Sequence, residues 1–381
     1  MFVTRTALGL LVATGLGLSS GAQADINVGV ILALTGPNSS LGIPYKKGLE
    51  LLPKEIGGQK VNLIFLDDAS DPSQAVRNAQ KLISEDKVDL IVGPSNSPAG
   101  FAVREVANKA KVLQIAVAPV DAKGADADWL ITVPQPASIW AIPIAKDMKA
   151  RGVKRAGFIG FSDPWGDISK GALETGKTIG GYEIVADERY ARADTSVSGQ
   201  VLKLLAAKPD AILIGGSGTP GTLPHIALAE RNFKGPQYAT PGVFNPDFLR
   251  LGGKALEGVM GVTGPITAGA MLPESNPIRK VALNFIEQFK KINDGNPPNG
   301  FHAFSYDAVL IIDDIAKRAV KKAQPGTEAF RTALRDEVYN VKELVGVQGI
   351  YNFKKGDPYG VDERSIVLMT VRDGKWVLEQ K

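Results

Sequence analysis

Short apolar runs separated by helical stretches constrain this chain more than any other feature. Ile26–Leu34, Val61–Leu66, Val88–Gly93 and Val112–Val117 read as strands by their length and their content of Val, Ile and Leu. Helices are predicted over Ile43–Ile56, stopped by Gly57-Gly58, from Asp71 to about Asp86, and over Phe101–Ala110. Ser70-Asp71-Pro72-Ser73 supplies a cap and a first-turn proline for the second of them. Runs without polar alternation are buried on both faces, as strands of a parallel sheet covered by helices are. Strands and helices taking turns at this spacing form right-handed βαβ units. The fold class is therefore α/β, with Rossmann-like parallel sheets.

The pattern starts again after Pro134-Gln135-Pro136, an extended segment suited to a crossover between domains. Trp140–Ala150 is a helix and Arg155–Phe161 a strand. The loop Ser162-Asp163-Pro164-Trp165-Gly166 opens a helix to about Ile179, and Tyr182–Val185 is the next strand. Asp194-Thr195-Ser196 caps a helix to about Ala207. The turn that follows repeats an earlier one at a fixed offset: Gly93 answers to Gly215, Ser95 to Ser217, Ser97 to Thr219 and Pro98 to Pro220. Two domains of one design are the simplest explanation, although Gly, Ser and Pro are common enough in turns to match by chance. Gly264-Pro265-Ile266-Thr267 is a second crossover. Helices over Pro277–Asp294, Ala303–Ala323 and Thr327–Val338 and strands over Gly349–Phe353, Ser365–Arg372 and Lys375–Leu378 complete the chain. The lobes expected are 25–135 with 266–348, and 136–265 with 349–381.

Residues 1–24 read as a secretory signal. Arg5 gives the positive start, Ala7–Leu18 the apolar stretch and Ala22-Gln23-Ala24 the cleavage site. The apolar stretch is too short to span a membrane. With no cysteine there is neither a disulfide nor a thiol for lipid attachment, so a soluble, unlipidated periplasmic monomer is expected. The 44 basic and 40 acidic residues form no basic run, which argues against a nucleic-acid partner. Two His and no Cys argue against a transition metal, and no cofactor is expected.

Gly216-Ser217-Gly218-Thr219-Pro220-Gly221 matches G-x-G-x-x-G after a strand. It is not in the first βα unit, and the following strand, Gln237–Ala239, carries no acid for a ribose, so a dinucleotide site is set aside. No catalytic set is present: there is no G-x-S-x-G elbow and no H-E-x-x-H, and His225 and His302 stand alone. Asp67-Asp68 ends a strand and reads as a solvated edge or hinge contact, and Asp313-Asp314 lacks metal-ligand spacing. A binding cleft remains. Ligands of open α/β sheets sit beyond the carboxyl ends of the strands, here turns 35–42, 93–98, 116–120, 162–166, 215–220 and 240–245. Leu41, Val120, Trp165 and Phe244 are their larger side chains. Ser95, Asn96 and Ser97 stand at a helix start, which is either an ordinary cap or a place for an anion.

The sequences I-N-V-G-V-I-L-A-L-T-G-P at 26–37, D-D-A-S-D-P-S-Q-A-V at 67–76, I-V-G-P-S-N-S at 91–97 and F-S-D-P-W-G at 161–166, in that order behind a signal peptide, resemble the leucine/isoleucine/valine-binding family. The resemblance covers essentially the whole mature chain. It implies a type I periplasmic fold of two lobes and three crossovers, serving the membrane permease subunits of an ABC importer. It also implies that a ligand carboxylate is held at Ser97 and by backbone groups at Ala118, and that Trp165 covers the ligand. Ser217 and Thr219 line the opposite jaw as the counterparts of Ser95 and Ser97. Two family features depart: the Thr after the fourth strand and the acid before G-V-x-N fall at Val120 and Pro241. A buried ammonium without an acid costs several kcal/mol. The expectation is a small carboxylate without an amino group, an aromatic acid of the benzoate, cinnamate or arylpyruvate type or a branched aliphatic or keto acid. The alternative is a branched-chain amino acid with Asp163 or Asp121 as the acid. An exported enzyme is the rival from another class.

Overall fold

The computed structural model describes residues 24–379; the signal peptide expected over 1–24 lies outside them except for its last residue. The first lobe begins with β1 (Ile26–Leu32), α1 (Ser39–Leu49), β2 (Glu55–Ile56), β3 (Gln59–Asp67), α2 (Pro72–Ser84), β4 (Leu90–Val92), α3 (Ser97–Ala110), β5 (Leu113–Ala116) and β6 (Leu130–Thr132). The second contains α4 (Ala137–Ala150), β7 (Arg155–Phe161), α5 (Pro164–Gly180), β8 (Glu183–Tyr190), α6 (Ser198–Ala206), β9 (Ala211–Gly215), α7 (Leu223–Glu230), β10 (Gln237–Ala239), α8 (Pro246–Gly252) and β11 (Met260–Thr263). The chain then returns to the first lobe with α9 (Pro277–Ile292), α10 (Gly300–Ala319), α11 (Glu328–Val338), β12 (Leu344–Val345) and β13 (Ile350–Tyr351). It ends in the second with β14 (Val367–Arg372) and β15 (Lys375–Leu378).

The sheet orders are β2-β3-β1-β4-β5-β6 and β15-β14-β11-β10-β9-β7-β8. In each, the central strands are parallel and almost wholly buried, as their largely apolar sequence requires. The antiparallel strands stand at the edges: β2 in the first lobe, and β14 with β15 in the second, joined through Asp373-Gly374, both at positive φ. Each lobe has its own apolar core. No helix among the described residues is long and apolar enough to cross a membrane.

The helices that matter for the cleft are started by short polar residues beside a proline. Asn96 accepts from the Ala99 N–H at 3.0 Å, and Asp163 accepts from Trp165 and Gly166. Gly42 and Gly166 hold matching places in the two lobes. A Cβ on either would lie within 2.0 Å of the Ala33 or Phe161 carbonyl, so each helix start rests directly on the strand before it.

Some expectations change. The helix expected over 43–56 runs from Ser39 to Leu49, with β2 formed behind it. The helix expected from Phe101 starts at Ser97, because Asn96 caps it there. The 194–196 cap is reduced to one long bond: α6 starts at Ser198 with Val197 in the cap position, and Ser196 Oγ accepts from the Ser198 N–H at 3.4 Å. Strand β11 is an addition. The third crossover is not at 349. Tyr351, Phe353 and Val361 pack on the first core, and Thr132 pairs with Tyr359. Ile366 and Leu368 are the first to join the second core.

The first crossover is tied to the segment before β13. Gln135 donates to the Gln348 carbonyl at 2.8 Å, and Gln348 donates to the Gly300 carbonyl at 2.9 Å. Beneath them the buried Asp307 accepts from the Val347 and Gln348 N–H groups and the Tyr351 hydroxyl. Burial pushes the Asp307 carboxyl up to about 7.

Candidate functional site

The carboxyl ends of both parallel sheets face one cleft between the lobes, and the lobes are closed over it. Arg192 of the second lobe donates to Asn38 of the first at 3.0 Å, Phe101 of the first packs on the second core, and a Cβ at Gly218 would lie 3.1 Å from Ser40 Oγ. The cavity left between the closed lobes is small, about 30 Å³, room for little more than a water, so a ligand enters only when the lobes part.

The first wall is the turn after β4. Ser95 Oγ accepts from the Ala33 N–H at 2.9 Å and pins the ends of β1 and β4 together. The Asn96 carbonyl oxygen is used by the cap, which leaves its buried Nδ2 without a partner. Ser97 Oγ is also buried and unpartnered. Pro98 carries no N–H and that of Ala99 is taken, so the Ser97 amide and hydroxyl are the donors of this helix start. They sit at the positive end of a 14-residue helix. Ala118 and Pro119, after β5, continue the wall.

The second wall is aromatic. The Trp165 and Trp140 rings lie 5.5 Å apart, tilted by 47°. Trp165 Nε1 donates to the Gly216 carbonyl at 3.1 Å, whereas Trp140 Nε1 is buried without a partner. Ser217 accepts from Arg192 at 2.9 Å, and Pro241 and Gly242 close this side. The floor is Tyr45, Phe301 and Phe304, with Tyr45 and Phe301 meeting edge to face at 5.4 Å. Tyr45 donates to the Val117 carbonyl at 2.6 Å, and burial keeps its phenol protonated by raising its pKa.

Of the residues expected at the site, the structure brings Leu41, Ser95, Asn96, Ser97, Ala118, Trp165, Ser217 and Pro241 to this cleft. Three lie elsewhere. Val120 packs with Ala116 and Leu130 in a separate apolar cluster, since the loop turns its neighbour Pro119 toward the cleft instead. Thr219 stands in a short 3-10 turn, where its carbonyl accepts from Thr222. Phe244 stacks on Trp376 at 4.2 Å beside a different surface pocket. Both acids considered for an ammonium are engaged away from it. Asp163 caps α5 and pairs with Arg192, and Asp121 accepts from the Tyr359 hydroxyl at 2.6 Å. No acidic side chain is among the described residues lining the cleft, nor do the described His, Asp and Glu residues form a metal site.

Sequence reasoning missed Tyr45, Trp140, Arg192, Phe301 and Phe304. Trp140 reads only as the start of a helix, and nothing local marks it as facing the cleft. Arg192 was hidden because β8 runs to Tyr190, beyond the strand end expected at Val185. Phe301 and Phe304 arrive from a distant helix and carry no local mark.

A family model described as periplasmic binding protein matches residues 25–375. An extracellular ligand-binding receptor from Rhodopseudomonas palustris superposes with a TM-score of 0.90 at 40% identity, covering 94% of this chain and all of the other. A Leu/Ile/Val-binding protein homolog 3 from Brucella melitensis is 27% identical over 350 residues, 86% of this chain and 90% of its own. A solute-binding protein of an ABC transporter from R. palustris, determined in complex with benzoate, shares the fold with a TM-score of 0.76 at 20% identity, covering 93% of this chain and 95% of the other.

Proposed function

The chain belongs to the periplasmic binding protein family, and from that premise we propose that it captures an aromatic carboxylate in the cleft and passes it to the membrane permease of an ABC importer, without chemistry on the ligand. One observation carries the reading. The buried polar atoms of the cleft that lack partners are Ser97 Oγ, Asn96 Nδ2 and Trp140 Nε1, all able to donate, and no acid faces them. Donors left unpaired in a buried site are costly, and an anion relieves that cost. An ammonium in the same place would find no opposite charge. The ring fits the rest: Trp140, Trp165, Tyr45, Phe301 and Phe304 offer aromatic faces and edges, and a stacked pair contributes roughly 0.5–1.5 kcal/mol beyond area burial.

A branched-chain amino acid is the second reading, favoured by the name of the Brucella relative. It requires an acid at the ammonium, and Asp163 and Asp121 are both occupied elsewhere. A thermal-shift panel separates the two. Ligand at about 100 times its dissociation constant adds about 2.7 kcal/mol to stability. Benzoate, cinnamate and phenylpyruvate raise the melting temperature, and leucine, isoleucine and valine leave it unchanged. A rise with leucine and none with the aromatic acids overturns the proposal.

A further inference from the structure

We propose that Arg192 is a latch that couples closure of the lobes to the charge of the bound molecule, an inference that rests on the cleft taking an anion. Arg192 is the one charged side chain among the described residues lining the cleft. It belongs mechanically to the second lobe. Its Nε donates to Asp163 at 2.5 Å, its Nη1 donates to Ser217 at 2.9 Å, and the guanidinium lies 4.2 Å above the centre of the Phe161 ring. These three contacts do not depend on the first lobe. A fourth does: Nη1 also donates to Asn38 Oδ1 at 3.0 Å. Asn38 precedes α1 but caps nothing with its side chain, so its amide oxygen is available to the other lobe.

Closure has a consequence for the rest of the guanidinium. The side chain is only 15% exposed in the closed form. In an open cleft more water reaches it. In the closed cleft it is largely shielded, and an anion serves a guanidinium far better than a neutral group does. A molecule shifts a conformational equilibrium only by its differential affinity for the two states. Here the closed state alone combines the Asn38 contact with a guanidinium shielded from most of its water, so an anion favours closure more than a neutral molecule of the same shape.

The chain has no cysteine, so dyes placed at Glu85→Cys and Lys203→Cys, one exposed site on each lobe, report closure by energy transfer. Benzoate and its neutral relative benzamide are titrated into the labelled wild type and three variants. Arg192→Ala raises the benzoate concentration needed for closure about 30-fold or more, as loss of a charged hydrogen bond does, and weakens benzamide by only about threefold, the share of the lost Asn38 contact. Arg192→Lys, which keeps the charge without the planar fork, falls between. Asn38→Ala removes the lobe-to-lobe contact without touching the anion, so it weakens both ligands alike, by about threefold, and lowers the closed fraction of the free protein. Equal losses for benzoate and benzamide in Arg192→Ala, or an unchanged benzoate response, overturn the proposal. If no aromatic carboxylate closes the wild type, the carboxylate reading fails by itself. The ligand-free comparison then decides the latch: a lower closed fraction in Asn38→Ala supports it, and equal fractions overturn it.

Discussion

In the first lobe the turn after β4 runs from Gly93 through Ser95 and Ser97 straight into a 14-residue helix. In the second, the turn after β9 runs from Gly215 through Ser217 and Thr219 into a single 3-10 turn, Thr219–Thr222, before α7 begins. The residues correspond and the outcomes diverge. Gly218 at φ +60° bends the second turn away from the course of the first, so that no long helix starts at Thr219. Ser97 Oγ is buried and unpartnered, while Ser217 Oγ is already used by Arg192. Serine in a turn therefore does not define a binding position. What defines it is a long helix beginning at that residue and a donor that the fold leaves unused. In the proposed site the first turn supplies the polar contact, and the second is support: its Gly216 carbonyl holds the Trp165 indole over the cleft.

Replacing Trp165 with Ala attacks the contribution of the second turn and has the largest expected effect. The affinity for an aromatic acid falls about 100-fold, or about 3 kcal/mol, as for a central aromatic anchor. Acetate or isobutyrate, with little surface to lose, changes far less by calorimetry. Equal losses for both kinds of acid break the support role.

A titration behind the turns sharpens the comparison next. His225 in α7 aligns with Val103 in α3, and both are fully buried. Burial pushes the imidazole of His225 down to about 4 despite its bond to Gln237. The folded protein thus keeps His225 neutral below pH 6.5, where the unfolded chain takes up a proton. Stability falls as pH drops from about 6.5 toward 4, by about 2–3 kcal/mol from this group. Thermal melts of wild type and His225→Gln between pH 7 and 4.5 check it: the advantage of the wild type shrinks as pH falls. A constant gap contradicts it.

Ser97→Ala tests the first turn directly. Benzoate affinity falls about 30-fold, roughly 2 kcal/mol for a charge-assisted hydrogen bond, whereas Thr219→Ala at the matching position changes it less than about twofold. Comparable losses erase the distinction between the turns. Ser217→Ala has the smallest effect, below about 1 kcal/mol, since its hydroxyl serves Arg192 and other contacts hold that side chain.

The parts legible in the sequence are those with local causes. Asp163-Pro164-Trp165 announces a cap, a first-turn proline and the aromatic that follows. The apolar strands announce a buried parallel sheet. Where a side chain points within an irregular loop is not local. Val120 and Pro119 are adjacent, and the packing of Val120 on Leu130 decides that Pro119 faces the cleft. The third crossover was misplaced for a related reason. Tyr351 and Phe353 look like the start of a strand in the second lobe, but they are held in the first by Asp307, 44 residues before Tyr351 in sequence. Arg192 follows a strand whose alternating polar residues conceal its length.

The proposed site holds a carboxylate at Ser97 and has nothing to offer an ammonium. Phenylpyruvate and phenylalanine share one carbon skeleton and differ in whether the carbon beside the carboxylate bears a keto oxygen or an ammonium. Calorimetric titration of the wild-type protein with each isolates that difference. Phenylpyruvate is expected to bind at least about 100-fold more tightly, in line with several kcal/mol for a buried, unpaired cation. Phenylalanine binding as tightly as phenylpyruvate, or more so, contradicts it.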